Sequence, residues 1–261
     1  MKNKIKNVLI NEDCLSHLKK LPDNIFDHCI TDPPYNISNY ENKKEIGWYK
    51  SNETWKKNKK FFKINEEWDV FNDDEYFEFC KDFIKEVCRV TKDNGNIIIF
   101  GTYHNIYKLG FIIDSLKLRI INSIIWYKRN AFPNITQRML CESTEQMIWF
   151  VNNNRKKAKN WVFNYKEMKM LTENKKQMRN MWDIPMTSVK EKKYGKHPSQ
   201  KPLELLDRLI IGCTKKKDII LDPFCGSGTT AVSAKKNGRF FYAVEKNKEY
   251  FKLSKKRLRE I

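Results

Sequence analysis

Residues 219–231 constrain the fold more than any other stretch. Ile219-Ile220-Leu221-Asp222-Pro223-Phe224-Cys225-Gly226-Ser227-Gly228-Thr229-Thr230-Ala231 reads as a short apolar strand, a tight turn and the opening of a helix. Gly226, Gly228 and Ala231 match the pattern G-x-G-x-x-(G/A), and Glu245 follows 19 residues after Gly226, at the end of the next apolar run. Strand, glycine turn, helix, strand and terminal acidic residue form the ligand-binding unit of a parallel α/β sheet. The remaining chain repeats the same alternation. Short apolar runs over 8–10, 27–31, 96–100, 120–127, 144–151, 218–222 and 240–245 predict seven strands. Amphipathic stretches over 13–21, 73–91, 103–117, 202–213, 228–237 and 247–260 predict the helices between them. This pattern predicts one doubly wound α/β domain over 1–261, with helices on both faces of the sheet.

The glycine turn also limits the ligand. A dinucleotide needs its pyrophosphate at the helix N-terminus. Asp222 ends the strand just before the turn, and its charge opposes a phosphate. The same carboxylate suits a cationic ammonium, and S-adenosylmethionine carries an ammonium and an adenosine without phosphate. Glu245 suits the ribose hydroxyls. No Gly-Lys-Ser/Thr follows the turn, which excludes a P-loop.

A second motif follows the strand over 27–31. Asp32-Pro33-Pro34-Tyr35 places a carboxylate, a carbonyl and an aromatic ring at a strand's carboxyl end. The prolines fix the backbone and remove two N–H donors. An exocyclic amine of adenine or cytosine is a poor nucleophile because its lone pair is delocalised. The Asp32 carboxylate and the Pro33 carbonyl together can accept both amine hydrogens, and Tyr35 can stack on the base. As a bland alternative, Asp32 caps a proline-rich turn.

Charge enters as a separate clue. Lys plus Arg is 51 and Asp plus Glu is 32, a net charge of +19. An AT-rich genome enriches Lys without selection, and 41 of the 51 cations are Lys. Drift spreads charge evenly, yet +10 of the excess falls within 152–201. That concentration points to a polyanionic partner. Two long stretches interrupt the strand–helix alternation. Residues 36–66 are polar and carry Tyr40, Trp48, Tyr49, Trp55, Phe61 and Phe62; residues 152–195 are basic and carry Trp161, Phe163, Tyr165 and Trp182. Such aromatic density argues for function. The expected roles are a target-side loop or lid for 36–66 and an inserted target-recognition region for 152–195.

No apolar run reaches the length of a membrane span. The seven cysteines include no Cys-x-x-Cys, which reads as reduced thiols in the cytoplasm. The four histidines are scattered, so no metal is expected.

These motifs resemble those of the beta-class amino DNA methyltransferases, over nearly the whole chain. In that family Asp-Pro-Pro-Tyr lies N-terminal and the cofactor motif C-terminal, a circularly permuted order that Asp32–Tyr35 and Asp222–Thr229 reproduce. The resemblance implies a Rossmann-like class I fold, a seven-stranded mixed sheet with one reversed strand. It implies S-adenosylmethionine as cofactor and S-adenosylhomocysteine as product, with no metal. Asn11-Glu12-Asp13-Cys14 resembles the family's adenine-side segment, which assigns Asp13 and Cys14 to the cofactor; Glu12 stands where the family often has Gly. Lys196-His197-Pro198-Ser199-Gln200-Lys201-Pro202 resembles its cofactor-side motif, with Ser199 and Lys201 facing the methionine carboxylate and His197 beside them. Trp68-Asp69 matches a common pair. The expected catalytic residues are Asp32, Pro33, Pro34 and Tyr35. The expected cofactor residues are Asp13, Cys14, Asp32, His197, Ser199, Lys201, Asp222, Phe224, Gly226, Ser227, Gly228, Thr229 and Glu245.

The implied reaction is methylation of adenine N6 in double-stranded DNA, with the target base flipped out. Cytosine N4, RNA or protein-amide methylation, and non-catalytic nucleic-acid binding, are the alternatives. The implied context is cytoplasmic restriction–modification, nucleoid-associated through DNA. A homodimer and a cognate restriction endonuclease are both compatible with it.

Overall fold

The computed structural model describes residues 5–37, 69–134, 137–195 and 197–261. Most of the expected lid, together with Trp68 and Lys196, lies outside the described residues.

Among the described residues eight strands form a single sheet: β1 Val8–Ile10, β2 His28–Thr31, β3 Asn96–Gly101, β4 Leu118–Tyr127, β5 Thr144–Asn154, β6 Met181–Asp183, β7 Ile219–Asp222 and β8 Phe240–Val244. Their order is β1-β8-β7-β2-β3-β5-β4-β6. β5 runs antiparallel to β3 and β4, and every other pairing is parallel. The expectation of seven strands needs one correction. β6 comes from the segment expected to be an insertion, and it pairs in parallel with the end of β4, Trp182 opposite Trp126. Three residues are too short for period-two alternation to show in the sequence.

The helices are α1 Cys14–Leu18, α2 Asp73–Val90, α3 Ile106–Ser115, α4 Tyr165–Met170, α5 Leu203–Cys213, α6 Thr229–Lys236 and α7 Lys248–Leu258. The spacing of Tyr76, Cys80, Phe83, Ile84, Val87 and Val90 gives α2 one buried face. Its start is fixed by a capping box, in which Asn72 accepts the Glu75 N–H at 2.8 Å and Glu75 accepts the Asn72 N–H at 3.3 Å.

Alternate residues of the central strands feed opposite cores. In β3, Ile97 and Ile99 join Phe83, Val87, Leu109 and Ile113 from α2 and α3. Ile98 and Phe100 join Leu205, Leu209, Ala231 and Val232 from α5 and α6. Each such aliphatic side chain contributes roughly 1.5–3 kcal/mol by leaving water. Segment 152–195 belongs to this second core through Met168, Trp182 and Ile184, with Trp161 packed against it.

From β7 the chain crosses through α6 to β8, on one side; from β2 it crosses through α2 to β3, on the other. A crevice therefore opens between the carboxyl ends of β7 and β2, the switch point at which open α/β sheets bind ligands.

Candidate active site

The two sequence motifs meet at that crevice. β2 and β7 are neighbours, with His28 opposite Ile220 and Cys29 opposite Leu221. At their ends the Thr31 hydroxyl donates to Asp222 Oδ1 at 2.8 Å. Asp32 follows Thr31, and the glycine turn follows Asp222. A cavity of about 300 Å³ lies between them.

Its walls collect almost every residue expected from the sequence. Asp13, Cys14, Asp32, Pro33, Pro34, Tyr35, His197, Ser199, Lys201, Asp222, Phe224, Gly226, Ser227, Thr229 and Glu245 line it. Gly228 is absent from the lining. It sits at φ +83° as the N-cap of α6, where an added Cβ would come within 3.0 Å of Ser254 Cβ.

The cofactor side is a pre-shaped cradle. Gly226, at φ +52°, donates its N–H to Glu245 Oε2 at 2.7 Å. The other oxygen, Oε1, accepts the Asn247 N–H at 2.7 Å. Two backbone donors thus aim this carboxylate while leaving lone pairs for ribose hydroxyls. Burial pushes the Glu245 carboxyl up to about 7 and that of Asp222 to about 6. A Cβ at Gly226 would meet His197 Nε2 at 3.0 Å, so only glycine lets the turn lie this close to that ring. His197 packs edge-on against Tyr250 with centroids 4.2 Å apart, and burial lowers its pKa to about 3. It is neutral and acts as a wall.

At the wall expected to meet the adenine, Asp13 caps α1 by accepting the Ser16 N–H at 3.1 Å, and Lys246 lies 3.3 Å from its second oxygen. Glu12, where the family often has Gly, binds His17 Nδ1 at 2.5 Å and also Lys20. It is not among the residues that line the cavity. Burial pushes the Cys14 thiol up to about 12.

The Asp32 side differs from the sequence reading in one respect. Lys201, expected at the methionine carboxylate, places Nζ 2.5 Å from Asp32 Oδ2 and 3.2 Å from Glu145 Oε2. The Tyr35 hydroxyl donates to Asp32 Oδ1. Ser199 accepts from Lys201 Nζ only through its backbone carbonyl, at 3.3 Å. Burial raises the Asp32 carboxyl, and the Lys201 ammonium opposes that rise.

Two further carboxylates bond to this side of the site, and no sequence motif assigns either of them a role. Glu145 was hidden in an apolar strand; being its lone acidic residue was the one available signal. Asp69 was noted only as half of a pair. Its carboxylate accepts the N–H groups of Tyr35 at 2.6 Å, Asn36 at 2.7 Å and Ile37 at 2.9 Å, pinning the backbone beyond the double proline. Tyr76 adds a hydrogen bond from its hydroxyl to the Pro34 carbonyl at 2.8 Å.

A glycine cradle, a ribose-type carboxylate and an Asp-Pro-Pro-Tyr turn at one switch point define a Rossmann-like methyltransferase site. The N6/N4 family model described as DNA methylase matches residues 26–256, and the chain belongs to this family. It is 36% identical to the type II methyltransferase M.HinfI of Haemophilus influenzae over 265 residues, covering 99% of this chain and 70% of that protein. It is 38% identical to the type II methyltransferase M2.DpnII of Streptococcus pneumoniae, covering 98% and 91%. The crystal structure of the M1.HpyAVI–SAM complex matches with a TM-score of 0.65 and 26% identity, covering 96% of this chain and 98% of that one. Among the described residues no cluster of three or more His, Cys, Asp or Glu could hold a metal ion. No helix among them is long and apolar enough to cross a membrane.

Proposed function

We propose that the chain transfers a methyl group from S-adenosylmethionine to the exocyclic N6 of adenine in duplex DNA. The observation that carries this reading is the Thr31–Asp222 bond of 2.8 Å, which joins the amine-side turn to the cofactor-side turn. When bound, the cofactor supplies an electrophilic methyl on a sulfonium. The chain's own residues do the rest. Asp222 carries charge complementary to an ammonium group, and Glu245 grips the ribose. The Asp32 carboxylate and Pro33 carbonyl hold the two amine hydrogens, which favours a pyramidal nitrogen with its lone pair aimed at the methyl. Positive charge that develops on this nitrogen meets the Asp32 carboxylate. Tyr35 packs beside the base, its hydroxyl tied to Asp32. The preference for adenine rests on Asp as the first motif residue, since relatives acting on cytosine N4 more often carry Ser there.

The DNA face follows from strand direction. β4 and β6 end at the catalytic edge, and the chain returns into β5 there. β5 then carries the chain away, so Arg155, Lys156, Lys157 and Lys159 emerge at the opposite edge, roughly 30 Å off at 3.4 Å per residue. We therefore assign target reading to the loop between β4 and β5 and to the chain from β6 to Lys201. The basic run at 155–159 lies outside this face.

A cognate restriction endonuclease, cytoplasmic action at the nucleoid and assembly as a homodimer belong to the same reading. Exposed Tyr107 and Phe111 on α3 are the apolar surface that such an assembly would cover. Incubation with labelled cofactor and duplex DNA, then nucleoside mass spectrometry, tests the main claim. N6-methyladenine is the expected product. N4-methylcytosine, or label only in RNA or protein, overturns it.

A further inference from the structure

We propose that Glu145 is a positioning residue for methyl transfer, acting on Asp32 through Lys201 and Tyr35. The proposal rests on the reading of Asp32 as the acceptor of the target amine.

The geometry is specific. A single oxygen, Glu145 Oε2, lies 3.2 Å from Lys201 Nζ and 3.2 Å from the Tyr35 hydroxyl. Those same two groups hold the two oxygens of Asp32, Lys201 on Oδ2 at 2.5 Å and Tyr35 on Oδ1. Glu145 is not among the residues that line the cavity, so it acts through its neighbours. Its other oxygen faces Lys128 Nζ at 3.5 Å. Lys201 also sits 5.3 Å from the Tyr35 ring centroid and 5.6 Å from that of Phe100, which closes its surroundings.

Strand direction explains how a strand's first residues reach this point. β2, β3, β4 and β7 bring their last residues to the catalytic edge. β5 is reversed, so Thr144 and Glu145 arrive at its start, with Glu145 opposite Trp126.

Buried ions are costly, and an apolar set of similar volume would serve stability as well or better. The cost falls beside the residue proposed to bind the amine. The Lys201 ammonium opposes the rise that burial imposes on the Asp32 carboxyl. Glu145 places a second carboxylate on that ammonium, so that Lys201 does not oppose the positive charge developing on the amine. The groups facing Asp32 are Lys201 from the segment before α5, Glu145 from β5, Tyr35 from its own turn and Asp222 from β7.

Three variants test this: Glu145→Gln, Glu145→Asp and Lys201→Met. The readouts are kcat, KM, the pH profile of kcat, cofactor affinity by calorimetry, and thermal unfolding as the check on folding. Glu145→Gln should lower kcat roughly 10- to 100-fold while leaving cofactor affinity within about twofold. Loss of its negative charge lowers the pKa of Asp32, so the acid limb of the kcat profile should move to lower pH. Glu145→Asp keeps the charge and loses reach. It should lower kcat with the acid limb in place, and it carries the test if the Gln variant does not fold. Lys201→Met should lower kcat and move the acid limb to higher pH. Wild-type kcat in both folded Glu145 variants overturns the role. So does intact kcat with weakened cofactor binding, which returns Lys201 and its partner to the methionine carboxylate. Wild-type transfer to DNA is measured first: its absence overturns the Asp32 reading and this proposal with it, whereas wild-type kcat in the folded Glu145 variants overturns this proposal alone.

Discussion

Gly226 donates its backbone N–H to Glu245 Oε2 at 2.7 Å, linking the turn after β7 to the residue that follows β8. The cofactor cradle is thus tied at its base by a buried carboxylate whose pKa burial pushes up to about 7, beside Asp222 at about 6.

The first prediction concerns pH. Ribose hydroxyls and an ammonium bind the ionised carboxylates, so cofactor affinity should rise between about pH 5.5 and 8 and then level off. In the free protein the sign is reversed. Both folded pKa values lie above the unfolded ones, 4.5 and 3.8, so their stabilisation is full below those values and is lost as pH rises through about 6 and 7. Shifts of this size correspond to roughly 3 kcal/mol each. Calorimetry and unfolding across this range check both slopes, and Glu245→Gln should flatten each.

Asp32→Asn should lower kcat by roughly 100-fold or more while cofactor affinity changes little. Removing the charge leaves Lys201 its second partner, Glu145, at 3.2 Å, so the fold should survive. Methyl transfer in single-turnover assays, with parallel calorimetry, distinguishes this from lost binding.

Gly226→Ala should weaken cofactor binding at least about tenfold. It forces a side chain into the left-handed region, costing about 1–2 kcal/mol. It also pushes a Cβ to 3.0 Å from His197 Nε2. Adding His197→Ala should restore part of the loss, because the steric component disappears and the backbone component stays. A double-mutant cycle of binding energies measures that coupling.

Asp69→Ala should destabilise the chain by roughly 3 kcal/mol, since three backbone donors lose their acceptor. The turn that holds Asp32 and Tyr35 loosens with it, and kcat should fall with stability. Denaturant unfolding and kcat on the same preparation show whether the two move together.

Salt dependence tests the proposed DNA face. Arg138→Glu and Lys190→Glu, both exposed and in the segments assigned to that face, should each reduce the slope of log affinity against log salt by about 1. Lys156→Glu and Lys157→Glu, at the opposite edge, should leave the slope on a short target duplex unchanged. Fluorescence anisotropy across a salt series reads both.

The strand–turn–helix unit at 219–231 and the turn at 32–35 were legible because their conformations are local. Prolines fix a backbone, glycines permit a positive φ, and apolar spacing chooses a face, all within a few residues. The cavity walls followed, since both motifs end strands whose apolar runs demand a buried sheet. The lone pairs around Asp32 were not legible. Lys201 and Asp32 are 169 residues apart, Tyr35 and Glu145 are 110 apart, and no spacing rule connects them.

Composition behaved in the same way. The sequence determined that a basic segment exists at 152–201, and its charge raised the expectation of a polyanionic partner. Only the tertiary structure divided that segment between two edges of the sheet, buried Trp182 within it and formed β6. The sequence by itself determined which residues stand at the strand ends, because those residues are contiguous. Which carboxylates Lys201 meets, and which cations share an edge with Asp32, depended on the order and direction of strands. Those are fixed by long-range pairing: the reversed β5 brings Glu145 to the catalytic edge and carries Arg155 away from it.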